Sequence, residues 1–365
     1  MRVIIAAGGS GGHIFPATAV AEELEKKGVK EIYFVASDRK LDRNILGASR
    51  YRSFYLSANP MPFRKDILKW VVFAFKIVSD AFLSAAILVW IRPGRVVAFG
   101  GYSSGAISLC AKAFNIPLVI HEQNHAPGRA IMILSNIARK IAVSFPESGQ
   151  FFPCSSRGRV VLTGNPIRSC NLTDIGEGAM EYLELSGSSK KVLVMGGSQG
   201  SSSLNRVASI AASLLKEDRS LDIEFIHLTG AKDHAAIKDF YRDNGINAAV
   251  FSFLERMDAA YSAADIAISR SGSAAVFELA YHRKPMILVP YPSRDNNQRT
   301  NAAYFAKAGA AIRIEENDLT PGLLAEEVLR ILKSSEVYAK MSAAAGSLAR
   351  PEAGRLLADL VLSEM

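Results

Sequence analysis

Cysteine is scarce in this 365-residue chain, and the three present (Cys110, Cys154 and Cys170) show no CxxC spacing and leave an odd one out. That excludes a disulfide framework, and neither His nor Cys spacings fit a zinc site; the thiols read as buried groups in a reducing compartment. No GxxxxGK[ST] run occurs, so an ATPase phosphate loop is unsupported, and no DxD pair of carboxylates occurs anywhere. Long Pro- or Gln-rich tracts are missing while apolar residues make up 49%, which marks an ordered globular protein. A secretion signal is lacking too: Met1-Arg2 run into Val3–Ala7, an apolar run too short for a signal core and followed at once by glycines. We read this run as a first strand and expect a protein that stays in the cytosol.

What is present points to two domains. The length exceeds the roughly 250–300 residues at which single cores stop growing. The net charge of +8 is split unevenly: residues 1–165 carry 21 Lys+Arg against 10 Asp+Glu (+11), residues 166–365 carry 22 against 25 (−3). A basic first half attracts nucleic acid or anionic lipid. Both halves alternate short β-rich runs with helical runs, the grammar of parallel sheets covered by helices. In the first half, strands are expected at 2–7, 31–37, 95–99, 117–121 and 140–145, with helices at 16–27, 103–114 and 128–138. The pattern restarts at Lys190, with strands at 190–195, 222–228, 249–254, 265–269 and 285–290 and a helix at 204–215. Turn signals (Asn-Pro, Gly-Glu-Gly, Ser-Gly-Ser-Ser) fill the break. The expected organisation is domain 1–165, linker 166–189 and domain 190–365, with the last helix free to pack back on the first domain. Ligands of such sheets bind beyond the carboxyl ends of the strands, here in a cleft that both domains face.

Three glycine loops follow strands and lead into helices: GGSGGH (Gly8–His13), GGYSSG (Gly100–Gly105) and GGSQGS (Gly196–Ser201). Glycine lets backbone amides approach an anion, and a helix N-terminus adds partial positive charge, so the loops suit a diphosphate. Loop amides, helix dipoles and arginines would stabilise a leaving diphosphate with no metal cage and no cofactor.

Several polar residues could do chemistry. His13 closes the first loop and titrates near neutrality, as a general base or as a helix-capping residue. His121-Glu122-Gln123-Asn124 ends an apolar strand with four polar side chains; a structural network suits His121 and Glu122, and Asn124, furthest out, suits a ligand. Arg168, in Asn165-Pro166-Ile167-Arg168, could grip a diphosphate bidentately or be a solvated linker charge. After Ser269-Arg270-Ser271-Gly272, a helix from Ser273 to Tyr281 carries Glu278, a carboxylate that could accept two ribose hydroxyls or sit on the surface. Gln298 and Asn301, three apart, share a helix face and suit sugar hydroxyls or capping.

Trp70–Ile91 is 22 residues long, enough to span a bilayer, but Lys76 and Asp80 lie well inside it. An interfacial helix fits better, with Trp70, Phe73, Phe75 and Trp90 as apolar contacts and Lys65 and Lys69 among its basic flanks. A buried crossover helix is the plainer reading.

GGSGGH, GGYSSG, HEQN, GNPIR, GGSQG, the RSG…E segment and the DxxQxxNA segment occur in the order seen in the MurG family, bacterial transferases of peptidoglycan synthesis that this chain resembles from Val3 to about Gly309. The resemblance implies the GT-B fold, two Rossmann-like doubly wound α/β domains, and an inverting transfer of N-acetylglucosamine from UDP-N-acetylglucosamine to the C4 hydroxyl of a lipid-diphosphate N-acetylmuramoyl-pentapeptide. It implies donor contacts from Ser10, Gly11, Gly12 and Asn124, diphosphate contacts from Arg168 and Ser198, and a backbone contact to uracil from Leu254. Ser273, Ala274, Ala275, Val276, Phe277 and Glu278 would hold ribose and sugar, and Gln298 the sugar. His13 is the candidate base and Glu122 the alternative. Implied partners are anionic lipid at the inner face of the bacterial membrane and proteins of cell-wall synthesis or division, with no nucleic acid. Ala275, Asn297 and His125 depart from the family's usual residues. Competing readings are another GT-B enzyme, such as a diacylglycerol glycosyltransferase or a UDP-N-acetylglucosamine 2-epimerase, and a membrane-attached nucleotide-sugar sensor.

Overall fold

The structure is a computed structural model, which describes residues 1–57, 67–169, 177–185, 189–197, 199–218, 220–293 and 295–363, with the backbone alone for 67–70 and 177. It divides into two compact units, Met1–Arg168 together with the segment from Glu352, and Ser169–Pro351.

In the first unit the strands are β1 (Arg2–Ala6), β2 (Glu31–Ser37), β3 (Arg52–Leu56), β4 (Arg95–Ala98), β5 (Leu118–Glu122), β6 (Lys140–Val143) and β7 (Val160–Leu162). The helices are α1 (Gly11–Lys26), α2 (Lys40–Gly47), α3 (Ile67–Ile91), α4 (Tyr102–Ala113), α5 (Arg129–Leu134) and the single turn α6 (Cys154–Arg157). All strands run parallel, in the order β3-β2-β1-β4-β5-β6-β7. A sheet covered on both faces buries both sets of side chains, which is why β1 reads as an unbroken apolar run and Val3–Ala6 are fully buried.

The second unit has β8 (Lys190–Met195), β9 (Ile223–Leu228), β10 (Ala248–Phe251), β11 (Ile266–Ser269), β12 (Met286–Leu288) and β13 (Ala311–Arg313), parallel and in the order β10-β9-β8-β11-β12-β13. Its helices are α7 (Glu177–Tyr182), α8 (Ser202–Glu217), α9 (His234–Asp243), α10 (Met257–Ala263), α11 (Ser273–Tyr281), α12 (Asn297–Lys307), α13 (Pro321–Lys333) and α14 (Ser335–Leu348). The last helix, α15 (Ala353–Leu362), belongs to the first unit. Leu357, Ala358 and Val361 share a core with Ala17, Val20 and Leu24 of α1, and Lys27 pairs with Asp359 at 2.6 Å.

Both sheets reverse their winding at one point, between β1 and β4 and between β8 and β11. A doubly wound sheet opens its binding crevice there. The first two glycine loops follow β1 and β4, and the third loop and Ser269–Gly272 follow β8 and β11.

α1 begins at Gly11 rather than at the expected Pro16, which lies inside it. Proline signals a first turn in a sequence, but here the glycines themselves supply the first turn, so the loop amides are helix N-terminal amides. The helix expected over 128–138 shortens to α5, and α2, β3 and β13 are additional to the sequence reading.

Candidate active site

In the first unit, His13 stands in the first turn of α1 with its ring against the second glycine loop. Nδ1 lies 3.0 Å from the Gly8 carbonyl and 3.3 Å from Ser10 Oγ. A carbonyl only accepts, so Nδ1 carries the proton and the neutral ring keeps its lone pair on Nε2. A Cβ on Gly100 would sit 3.7 Å from Nε2, and one on Gly101 would sit 2.4 Å from the Gly8 oxygen. Bare backbone at Gly101 lets the two loops meet. Burial lowers the His13 pKa below the ordinary histidine value, opposed by the Gly8 carbonyl and by the Asp42 charge. The ring is therefore neutral at pH 7 and able to take a proton.

The HEQN segment divides its labour. His121 is fully buried, with Nε2 on the Gly164 carbonyl at 3.0 Å and Gln123 Nε2 3.1 Å from its Nδ1, and burial pushes it down to about 4. It ties the strand end to the Gly164-Asn165-Pro166 turn. Glu122 is also buried. Its Oε1 accepts from Asn124 N at 2.8 Å and Asn124 Nδ2 at 3.1 Å, and its Oε2 accepts from Gly128 N at 2.8 Å. Burial raises it to about 7 against the pull of those donors. The carboxylate closes the turn 123–128 and orients the Asn124 amide. Arg168 stacks its guanidinium 4.3 Å over the Phe15 ring in the second turn of α1.

Sequence reasoning missed Asp42. This fully buried residue of α2 accepts the Gly9 N–H at 2.7 Å and the Ser37 N–H at 3.2 Å. The leading amide of the first loop is thus spent on a carboxylate, which works against the expectation that this loop cradles a diphosphate. Its position, inside a charged run of a short helix, gave no periodic signal.

In the second unit the third glycine loop crosses the end of β9 so closely that a Cβ on Gly200 would lie 2.0 Å from the Thr229 oxygen, and its φ of +75° suits glycine. Ser201 occupies the N-cap of α8, yet its hydroxyl makes no cap bond. It accepts instead from Arg270 Nη2 at 2.7 Å and Nε at 3.2 Å. Arg270 is buried, also donates to Ser203 Oγ at 3.0 Å and the Val289 carbonyl at 3.2 Å, and pairs with Glu316. The N-terminus of α8 keeps its amides for an anion, with a buried cation beside them. Arg270 stood in the motif without a role, and its signal was a charge closing an apolar strand.

Val276 and Phe277 point into the core, Phe277 edge-on to Phe305 at 5.5 Å, so any contact to a ligand is through backbone; Ala274 and Ala275 are partly exposed and Ser273 is buried. Glu278 is buried and accepts the Tyr261 hydroxyl at 2.6 Å, so it is an interior carboxylate, not a surface one. Gln298 Oε1 accepts from Tyr291 N at 3.0 Å. Asn301 is fully buried and grips the Ser271 carbonyl at 3.1 Å, a structural role, while Ser271 Oγ donates to the Gln298 carbonyl at 2.8 Å. Leu254 is buried after β10. Ser198 lies outside the described residues, as do Lys65 and the side chains of Lys69 and Trp70.

Among the described residues α3 is one helix long and apolar enough to cross a membrane, over Val71–Ile91. Ile87, Leu88 and Ile91 are built into the core of the first unit, and Asp80 accepts from Ser57 N at 2.9 Å. The other face carries Val71, Phe75, Val78, Phe82, Val89 and Trp90 in the open; Phe75 and Phe82 are 74% and 75% exposed, whereas Phe73 is half-buried. Arg52 lies 5.4 Å over the Trp90 ring.

Residues 3–143 match the N-terminal domain of glycosyltransferase family 28, and residues 191–356 match its C-terminal domain. A protein of Desulfotalea psychrophila named UDP-N-acetylglucosamine–N-acetylmuramyl-(pentapeptide) pyrophosphoryl-undecaprenol N-acetylglucosamine transferase is 38% identical over 93% of this chain and 90% of its own length. One of the same name from Geotalea daltonii is 35% identical over 98% and 96%. The crystal structure of Acinetobacter baumannii MurG covers 99% of both chains at a TM-score of 0.75 and 26% identity. A UDP-GlcNAc 2-epimerase from Neisseria meningitidis shares the fold at a TM-score of 0.70 and 16% identity, covering all of both chains. With both family domains matched and relatives aligned across more than nine-tenths of its length, the chain belongs to glycosyltransferase family 28 and, within it, to the MurG family.

Proposed function

We propose that this protein transfers N-acetylglucosamine from UDP-N-acetylglucosamine to the C4 hydroxyl of an undecaprenyl-diphospho-N-acetylmuramoyl-pentapeptide, by a single inverting displacement. The observation that carries the reading is end-to-end similarity, 38% identity over 93% of the chain, to a transferase named for that reaction. The site geometry supports it. His13 is the base: its Nε2 takes the proton of the attacking hydroxyl as the anomeric carbon–oxygen bond to UDP breaks. Glu122 is ill suited to that task because both its oxygens already hold backbone amides. The departing diphosphate is received by the amides at the head of α8, with no metal required.

The enzyme works on a membrane surface. The exposed apolar face of α3, with Arg52, Lys76 and Arg92 around it, lies in the headgroup region of an anionic bilayer, and the opposite face stays packed on the sheet. On the reading above, that surface is the cytoplasmic one.

The test is turnover of purified protein with radiolabelled UDP-N-acetylglucosamine and the lipid-diphosphate acceptor, with diacylglycerol or no acceptor as controls. Label in a disaccharide lipid that depends on the acceptor is the expected result. Label in diacylglycerol moves the reading to glycolipid synthesis, and conversion of the donor alone moves it to an epimerase or hydrolase.

A further inference from the structure

The carboxylate beneath the first glycine loop belongs to none of the seven motifs, and its hydrogen bonds lead to His13. The Gly9 N–H that donates to Asp42 Oδ2 at 2.7 Å and the Gly8 C=O that accepts from His13 Nδ1 at 3.0 Å are the two ends of one peptide group. A carboxylate, a peptide and an imidazole therefore form one hydrogen-bonded line. The packing is built around it. A Cβ on Gly8 would lie 2.7 Å from Asp42 Oδ2 and 2.8 Å from Ser103 Oγ, and a Cβ on Gly101 would strike the Gly8 oxygen. Side chains at these positions would push apart the groups that make the line.

We propose that Asp42 is a positioning residue for His13, acting through the Gly8–Gly9 peptide: it holds the imidazole in its Nδ1–H tautomer and stabilises the imidazolium that forms when Nε2 takes the acceptor proton. The proposal rests on the reading of His13 as the base. A negative charge at the N–H end of a peptide polarises its carbonyl, and a more negative Gly8 oxygen binds Nδ1–H more strongly, most of all when the ring is charged. No proton crosses the peptide. The acceptor's proton ends on Nε2, Nδ1 keeps its own, and none reaches Asp42. Asp42 on α2 is also the charge that raises the His13 pKa against burial. The other groups facing the ring and its loop are Ser10 Oγ, the buried His121 of β5, and Arg39, whose Nη1 lies 3.5 Å from the Gly9 carbonyl on the exposed side.

Asp42→Asn keeps a carbonyl oxygen for the Gly9 N–H and removes the charge. Measured on the full-length enzyme with both substrates, it is expected to lower kcat about tenfold and move the acid limb of the kcat–pH profile down by about one unit, with both KM values within about twofold. A residue that merely holds the loop would lower kcat or thermal stability and leave the limb in place, and that result overturns the proposal. If Asp42→Asn does not fold, Ser37→Ala serves. It leaves the charge and removes the hydroxyl that competes for Oδ2, so the limb moves up, and an unmoved limb is again fatal. His13→Ala, run in parallel, separates the two ideas. Full activity in that variant removes the base reading and the proposal with it; loss of activity with an unmoved limb in Asp42→Asn removes the proposal alone.

Discussion

Replacing Phe75 and Phe82 together by aspartate separates membrane attachment from catalysis. The two side chains lie seven residues apart on one face of α3 and are 74% and 75% exposed, so removing them leaves the core of the first unit intact. Burying a phenylalanine in an apolar phase is worth about 1.5–3 kcal/mol, and the interface of a bilayer realises part of that, so the pair contributes about 3 kcal/mol to binding. Each new aspartate near an anionic surface costs on the order of 1 kcal/mol in repulsion, by analogy with the gain from a basic residue there. The sum, about 5 kcal/mol, corresponds to a loss of more than about a thousandfold in the vesicle partition coefficient. The assay is co-sedimentation with vesicles containing one-third anionic lipid, alongside turnover of a short-chain, water-soluble acceptor. The expected result is loss of vesicle binding with short-chain turnover within about twofold of wild type and an unchanged melting temperature. Vesicle binding that survives the double substitution refutes the assignment of this face to the bilayer, because no other contribution of that size rests on those two rings.

The other predictions concern the first switch point and the core of the second unit. His13→Gln is expected to lower kcat by about 10²–10⁴ with little change in donor KM. Because burial lowers the His13 pKa and the neutral ring is the active form, wild-type activity is lost as pH falls through a limb below about 6.5, a limb absent from the variant; a limb above 7 contradicts the assignment. Gly101→Ala places a Cβ 2.4 Å from the Gly8 oxygen at a φ of +81°, and is expected to destabilise the first unit by about 2 kcal/mol or more and to cost most of the activity, as read from urea unfolding and turnover. His227, buried between Tyr241 and Asn205, is pushed down to about 3 by burial, so the unfolded chain binds a proton near pH 6.5 that the folded one refuses. Stability therefore falls as pH drops from 6.5 towards 3, by about 2 kcal/mol at pH 5, and His227→Gln is expected to flatten the pH dependence of the urea midpoint; an equal slope in the variant removes the argument.

The architecture was legible because parallel strands buried on both faces are unbroken apolar runs, and β1, β2 and β8 stand in the sequence at or within one residue of their observed limits. β3 was not legible. Arg52–Leu56 mixes a charge and a hydroxyl into an edge strand, one face of which sees solvent, and Trp90, the ring that packs on its Phe54, is 36 residues away. β13 has three residues, too few for any period. The glycine loops, His13, Glu122 and Asn124 could be named because each follows a strand in the chain. Their roles could not be divided from the sequence, because the division depends on atoms from elsewhere: the Gly8 carbonyl fixes the His13 tautomer, and the Gly128 amide occupies Glu122. Asp42 and Glu316 were invisible for the same reason, being carboxylates in ordinary polar stretches that meet their partners, the Gly9 amide and Arg270, only when a helix or loop packs.

The two halves repeat one topology and set opposite charges behind their glycine loops. In the first unit the loop after β1 is backed by Asp42, a buried anion on the Gly9 amide; in the second, the loop after β8 is backed by Arg270, a buried cation on the Ser201 hydroxyl that is also ion-paired with Glu316. The backbone of such a loop is a neutral array of amides at a helix N-terminus, and by itself it favours anions in both units. A negative charge placed behind it weakens that preference and favours a cation forming on the neighbouring side chain, which is what His13 becomes if, as proposed, it takes the acceptor's proton. A positive charge placed behind it strengthens the preference and favours a diphosphate that gains charge as it leaves. Charge separates in an inverting displacement, with positive charge collecting at the base and negative charge at the leaving group. The two glycine patterns are alike, and the residue behind each, Asp42 or Arg270, sets which charge that loop favours, which is the basis on which His13 and the head of α8 are proposed for different tasks.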